Sequence, residues 1–131
     1  MQMPKFVPLT SVLKIHQAQI DQFSGSHGIR DQELLESALA QPQATFGGQY
    51  LHPNIVAQAA AYLFHICMNH PFLDGNKRTG LATAIAFLEV NHYQLQLSQD
   101  KAYDLMIQVA EHKINKDTLI AYLTEHIKEK F

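Results

Sequence analysis

His70-Pro71-Phe72-Leu73-Asp74-Gly75-Asn76-Lys77-Arg78-Thr79-Gly80 brings a titratable base, a carboxylate, an amide, two cations and two glycines into one short segment. Apolar helical patterns flank it on both sides. Pro53 to Asn69 is apolar almost throughout, and beyond the segment Leu81, Ala84, Ile85 and Leu88 recur at helical spacing. The stretch therefore reads as the joint of a helix–loop–helix. Pro71 lacks an N–H and biases His70 away from the α region, so the first helix is predicted to end near Asn69. Gly75 permits a tight turn, and the second helix is predicted to begin at about Gly75 or Asn76. A helix mouth presents unpaired N–H groups and the positive end of a dipole, which together suit an anion. Lys77 and Arg78 fall in that first turn, where cations oppose the dipole and weaken the helix. A phosphate seated at the mouth offsets that cost, so the pattern points to a nucleotide.

Each residue of the segment has a chemical and a structural reading. His70 is a candidate general base, because an imidazole titrates near neutral pH and accepts a proton from an attacking hydroxyl; it also suits the C-cap of the preceding helix. Asp74 is a candidate Mg²⁺ ligand, since magnesium takes few carboxylate oxygens beside phosphate and water. It equally suits the N-cap of the next helix. The Asn76 amide either meets a phosphate oxygen or fixes the loop. Arg78 offers a planar fork matched to phosphate, or is a solvated helix residue. Phe72 reads as a core anchor that fixes the loop. The other seven histidines carry no such pattern; His65 lies five residues before His70, and no zinc-type His-Glu-x-x-His run exists.

Working outward, 131 residues suit one domain, 1–131, with room for a core. Apolar content of 47 % against 17 % charged residues is that of a globular chain and excludes disorder. A formal net charge of −2 argues against direct nucleic-acid binding. Cys67 is the single cysteine, so no internal disulfide forms and a reducing, cytoplasmic setting is expected. Met1 to Leu9 has no cationic start followed by an apolar run, so no signal peptide is expected. Ile55 to Met68, broken by Gln58 and His65, is too short to span a bilayer, and no membrane partner is expected.

Pro8 and Thr10 open a helix with Leu13, His16, Ile20 and Phe23 on one face, ended by Ser24-Gly25-Ser26. Asp31 is the predicted N-cap of a second helix carrying Leu34, Leu35, Ala38 and Leu39, closed by Pro42. Thr45 to Leu51 breaks helical periodicity, and Gly47-Gly48 there makes either a small hairpin or a surface loop. Pro53–Asn69 and Asn76–Asn91 are apolar nearly all round and belong at the centre. Leu95 and Leu97 lie in a short connector. A helix from Ser98 or Gln99 turns Ala102, Leu105, Met106, Val109 and Ala110 inward; a last helix, Asn115 to Lys128, does so with Leu119, Ile120, Leu123 and Ile127. The predicted fold is all-α: about six helices around a central pair, with at most a small β-hairpin.

His70-Pro71-Phe72-x-Asp74-Gly75-Asn76-Lys77-Arg78 resembles the signature loop of the Fic/Doc family. Lys77 resembles the death-on-curing (Doc) branch, since the ordinary Fic pattern has Gly there and a second Arg where this chain has Leu81. Gly28-Ile29-Arg30-Asp31 and Leu34-Leu35-Glu36-Ser37-Ala38 also look Doc-like, and the likeness spans roughly residues 10 to 120. It implies a Fic/Doc-type bundle and an enzyme with His70 as base, Asp74 on Mg²⁺, and Gly75, Asn76, Lys77 and Arg78 around the phosphates of ATP. It implies that Phe46, Gly47, Gly48 and Gln49 form a flap that lines up a target protein by strand pairing. In typical Fic proteins, glycine at the Lys77 position leaves room for a diphosphate, and AMP is transferred to a protein hydroxyl. In the Doc branch the nucleotide is inverted, and the γ-phosphate goes to a threonine of elongation factor Tu, which stops translation. The expected function is accordingly a growth-arresting toxin with kinase activity. The alternatives are an AMP transferase using the same loop and a catalytically silent binding module. A Ser/Thr-x-x-x-Glu-Gly/Asn inhibitory segment is not found, and the resemblance implies instead a separate antitoxin whose disordered tail folds as a helix onto the toxin.

Overall fold

The computed structural model describes residues 3–130. Met1, Gln2 and Phe131 lie outside the described residues, and with them part of the leader reading. Six helices make up most of the chain: α1 Leu9–Phe23, α2 Gln32–Ala40, α3 Ile55–Asn69, α4 Asn76–Val90, α5 Gln99–Ala110 and α6 Lys116–His126. The fold is all-α, as the sequence predicts.

The helix starts follow from local chemistry. Asp31, Asn54, Ser98 and Asn115 each accept a hydrogen bond from the backbone N–H three residues on, capping α2, α3, α5 and α6. The α-helical part of α2 stops at Ala40, and Pro42 sits in the following single 3-10 turn, Gln41–Gln43. α3 and α4 form the centre. α1 packs on α4, α2 and α6 pack on α3, and α5 touches both. Tyr62, Leu63 and Ile66 of α3 and Phe87 and Leu88 of α4 are fully buried together with Leu35, Leu119 and Leu123 from the surrounding helices. Gly80 lets the two central helices approach closely: a Cβ there would lie 3.1 Å from the Leu63 carbonyl oxygen and 3.2 Å from Cys67 Sγ.

Gly47-Gly48 does form the small hairpin. β1 (Thr45–Phe46) pairs antiparallel with β2 (Gln49–Tyr50), and both glycines have positive φ, 61° and 80°. That is the backbone a two-residue hairpin turn requires.

A second strand pair corrects the sequence reading. The last helix ends at His126, not Lys128; Ile127–Glu129 is a strand, β4, antiparallel to β3 (Tyr93–Leu95). The physical reason lies at the exit of α4. His92 takes a left-handed turn, φ 72°, and leaves an open edge. The chain's end fills it: Lys130 N donates to the His92 carbonyl at 2.8 Å and Gln96 N to that of His126 at 2.7 Å. Three-residue strands so far apart in sequence carry too little periodicity to be read.

Candidate functional site

The loop between α3 and α4 is held by backbone polar groups on every side. His70 is the C-cap of α3, with φ 47° and ψ 53°. The bias imposed by Pro71 is thus met by the left-handed region and not by extended backbone. The C-cap reading holds for the backbone, which ends the helix, and the exposed His70 side chain lines a pocket. Arg30 Nε donates to the His70 carbonyl at 2.6 Å and Nη2 to that of Asn69 at 2.9 Å. The N–H groups of Arg30 and Asp31 both reach the Pro71 carbonyl, Ile29 bridges to Phe72, and Leu73 N donates to the Gly28 carbonyl.

Phe72 is the anchor the sequence predicts. It is fully buried and stacks on the buried His16 ring, with centroids 3.8 Å apart and planes 7° from parallel. His16 Nε2 lies 2.8 Å from the Asp74 carbonyl. A carbonyl only accepts, so that nitrogen carries the proton. Asn76 takes the loop-fixing role. Its side-chain oxygen accepts from Phe72 N at 2.9 Å and its amide donates to the Phe72 carbonyl at 3.0 Å.

Asp74 is not the N-cap of α4. Gly75 is, at φ 77°, and no side chain caps that helix. A Cβ on Gly75 would come within 2.9 Å of Ile20 Cδ1. The exposed Asp74 carboxylate instead takes the Gly75 N–H on Oδ1 at 2.9 Å and the Ser26 N–H on Oδ2 at 3.2 Å. Each oxygen therefore keeps lone-pair capacity. Among the described residues no cluster of three or more His, Cys, Asp or Glu is placed to hold a metal by itself. A hard cation that shares its coordination with phosphate oxygens and water fits one carboxylate of this kind.

His70, Asp74, Gly75, Asn76, Lys77 and Arg78 converge on one cavity of about 540 Å³, closed on the far side by Tyr103, Met106, Ile107, Ala110 and Glu111 of α5 and its end. That volume is in the range of small-molecule sites. The uncapped mouth of α4 and two cations sit on its wall. The Arg78 guanidinium is 4.7 Å from the centre of the Phe23 ring, an attraction that gives it a resting place at the edge of the site. Cys67 offers no competing nucleophile, because burial pushes its thiol up to about 12. The flap residues Phe46, Gly47, Gly48 and Gln49 do not line the cavity; Phe46 is 81 % exposed.

His16, Arg30 and the α5 wall were not singled out as site residues by the sequence. A histidine on the otherwise apolar face of α1 was the available signal for His16. Arg30 bonds to main-chain carbonyls and leaves no side-chain pattern to read. Of the inward face predicted for α5, Leu105 and Val109 enter the core, whereas Met106 and Ala110 lie at its border and line the cavity together with Tyr103, Ile107 and Glu111.

Fold and loop together define a helical domain whose central pair presents an imidazole, a carboxylate and an uncapped helix mouth to one cavity. A model of the Fic/DOC family matches residues 6–88. Over 103 residues the chain is 42 % identical to Toxin Doc of Mycolicibacterium smegmatis (strain ATCC 700084 / mc(2)155), covering 77 % of this chain and 79 % of that protein. Over 104 residues it is 30 % identical to Protein kinase doc of Escherichia phage P1, with 79 % and 81 % covered. The chain belongs to the Fic/Doc family, and these relatives support the Doc branch read from Lys77.

Proposed function

We propose that this protein is the toxin of a toxin–antitoxin pair, a cytoplasmic protein kinase that moves the γ-phosphoryl group of ATP to a Ser or Thr hydroxyl of a translation protein of the elongation factor Tu type. The observation that carries the reading is the shared cavity: an exposed imidazole and an uncapped helix mouth with two cations face the same space. The name of the phage relative supports phosphoryl transfer, and the name of the mycobacterial one supports a toxin with an antitoxin. No described helix is long and apolar enough to cross a membrane.

In this reading His70 accepts the proton of the attacking hydroxyl. Arg78, Lys77 and the first N–H groups of α4 receive the phosphates and stabilise the charge that spreads over them during transfer. Asn76 keeps the loop closed through its paired bonds to Phe72, and the second N–H of its amide is left to meet a phosphate oxygen. Asp74 is the residue that would hold Mg²⁺, which neutralises phosphate charge when bound. The antitoxin is a small protein whose disordered tail folds on binding.

The test is ATP labelled on the γ- or the α-phosphate, incubated with purified protein and cell extract. Kinase activity puts γ-label on one protein. Label arriving from the α-phosphate alone makes the enzyme an AMP transferase, and no transfer from either leaves a binding module.

A further inference from the structure

The function proposed above gives His70 its chemistry but does not explain how the residue stays where it is. A non-glycine residue at φ 47° sits in a left-handed conformation that L-residues disfavour. Such a residue persists when its surroundings over-determine it. The C-terminal turn of α3 contains no basic residue of its own. The cation comes from forty residues upstream: both guanidinium donors of Arg30 that engage the loop close on consecutive carbonyls, Asn69 at 2.9 Å and His70 at 2.6 Å. Among the described residues no carboxylate lies within ion-pair distance of Arg30. It does not line the cavity. Its own N–H and that of Asp31 hold the next carbonyl, Pro71.

We infer that Arg30 is the positioning residue of the site: its fork clamps the negative end of α3 and fixes the left-handed turn that aims the His70 imidazole at the cavity. A planar fork suits this task because two donors with fixed spacing bind two adjacent carbonyls, and the charge sits at the favourable end of the helix dipole. The link to catalysis rests on His70 acting as base; the link to geometry does not.

The experiment compares the wild-type chain with Arg30→Ala and Arg30→Lys, free of nucleotide and then in turnover. Without nucleotide, the His70 three-bond HN–Hα coupling and Cα shift report its backbone well by NMR. The left-handed signature is expected in the wild type, lost in Arg30→Ala and partly restored in Arg30→Lys. In turnover, kcat is expected to fall about 10- to 100-fold in Arg30→Ala, the size of effect that sub-ångström to ångström misplacement produces. KM for ATP should stay within about two-fold, and Arg30→Lys should fall between. Should Arg30→Ala fail to fold, Arg30→Lys is read alone against the wild type, with a smaller drop of the same kind. An unchanged His70 signature in the folded variant overturns the inference, as does a raised KM at constant kcat, which would make Arg30 a substrate contact. If the wild type transfers nothing, the kinase reading fails while the NMR comparison still decides the role of Arg30.

Discussion

At position 70 one residue serves two demands that conflict. The chain must turn through a left-handed step before Pro71, and glycine does this best. The proposed chemistry needs an imidazole there. Replacing His70 by Gly should raise thermal stability, by up to about 1 kcal/mol, while abolishing transfer; calorimetry and a labelled-ATP assay measure the two effects on the same protein. His70→Ala should also abolish transfer, by about 10²-fold or more, without loss of helical circular dichroism. Full activity in either variant removes the imidazole as base. Gly75 has the opposite relation to its neighbours. Its φ of 77° strains any side chain placed there, and a Cβ would displace the Ile20 Cδ1 methyl, which lies 2.9 Å from its position. Gly75→Ala should cost about 1–3 kcal/mol in urea denaturation and weaken nucleotide binding, since it distorts the mouth of α4.

Among the helices, the closeness of α3 and α4 sets the geometry of the loop that joins them. Gly80 is the contact point, and Gly80→Val should push the pair apart and lower stability by about 1–3 kcal/mol, seen as a reduced urea midpoint. A midpoint equal to the wild type would mean that the helices have slack at this crossing. The helices themselves were legible because their signals are local. Asp31 and Ser98 announce starts, and the apolar run of α3 is long enough to mark a buried element. The motif residues were legible for the same reason, being neighbours along the chain. What the sequence did not carry is non-local. The β3–β4 pair depends on an edge left by α4, Gly75 displaces Asp74 from the cap, and Arg30 and His16 act on main-chain carbonyls, which every residue has.

On the scale of the whole molecule, a basic cluster ties the last helix to the core. Lys116 Nζ of α6 lies 2.7 Å from His65 Nε2 of α3 and 3.3 Å from His52 Nε2. Burial first, then the Lys116 and His52 charges, lower the His65 pKa to about 4. Burial and Lys116 lower that of His52 as well, and burial lowers Lys116 itself, against an opposing effect of Asp117. An unfolded histidine takes its proton near pH 6.5, and the folded His65 does so only near pH 4. The contribution is therefore fully present above pH 6.5 and is lost as the pH falls toward 4. Urea midpoints measured across that window should decline in the wild type and decline less in His65→Phe. Parallel declines would mean that acid acts elsewhere.

The loop's grips share a direction along the chain. His16, Ser26, Gly28 and Arg30 all precede the segment they hold, whereas the wall formed by Tyr103, Met106 and Glu111 follows it. A ribosome therefore releases every upstream contact before the loop, and the wall only after it. During synthesis the bend carrying the imidazole can be set while the pocket is still open on one side, so the order in which the chain is made separates assembly of that turn from closure of the cavity beside it.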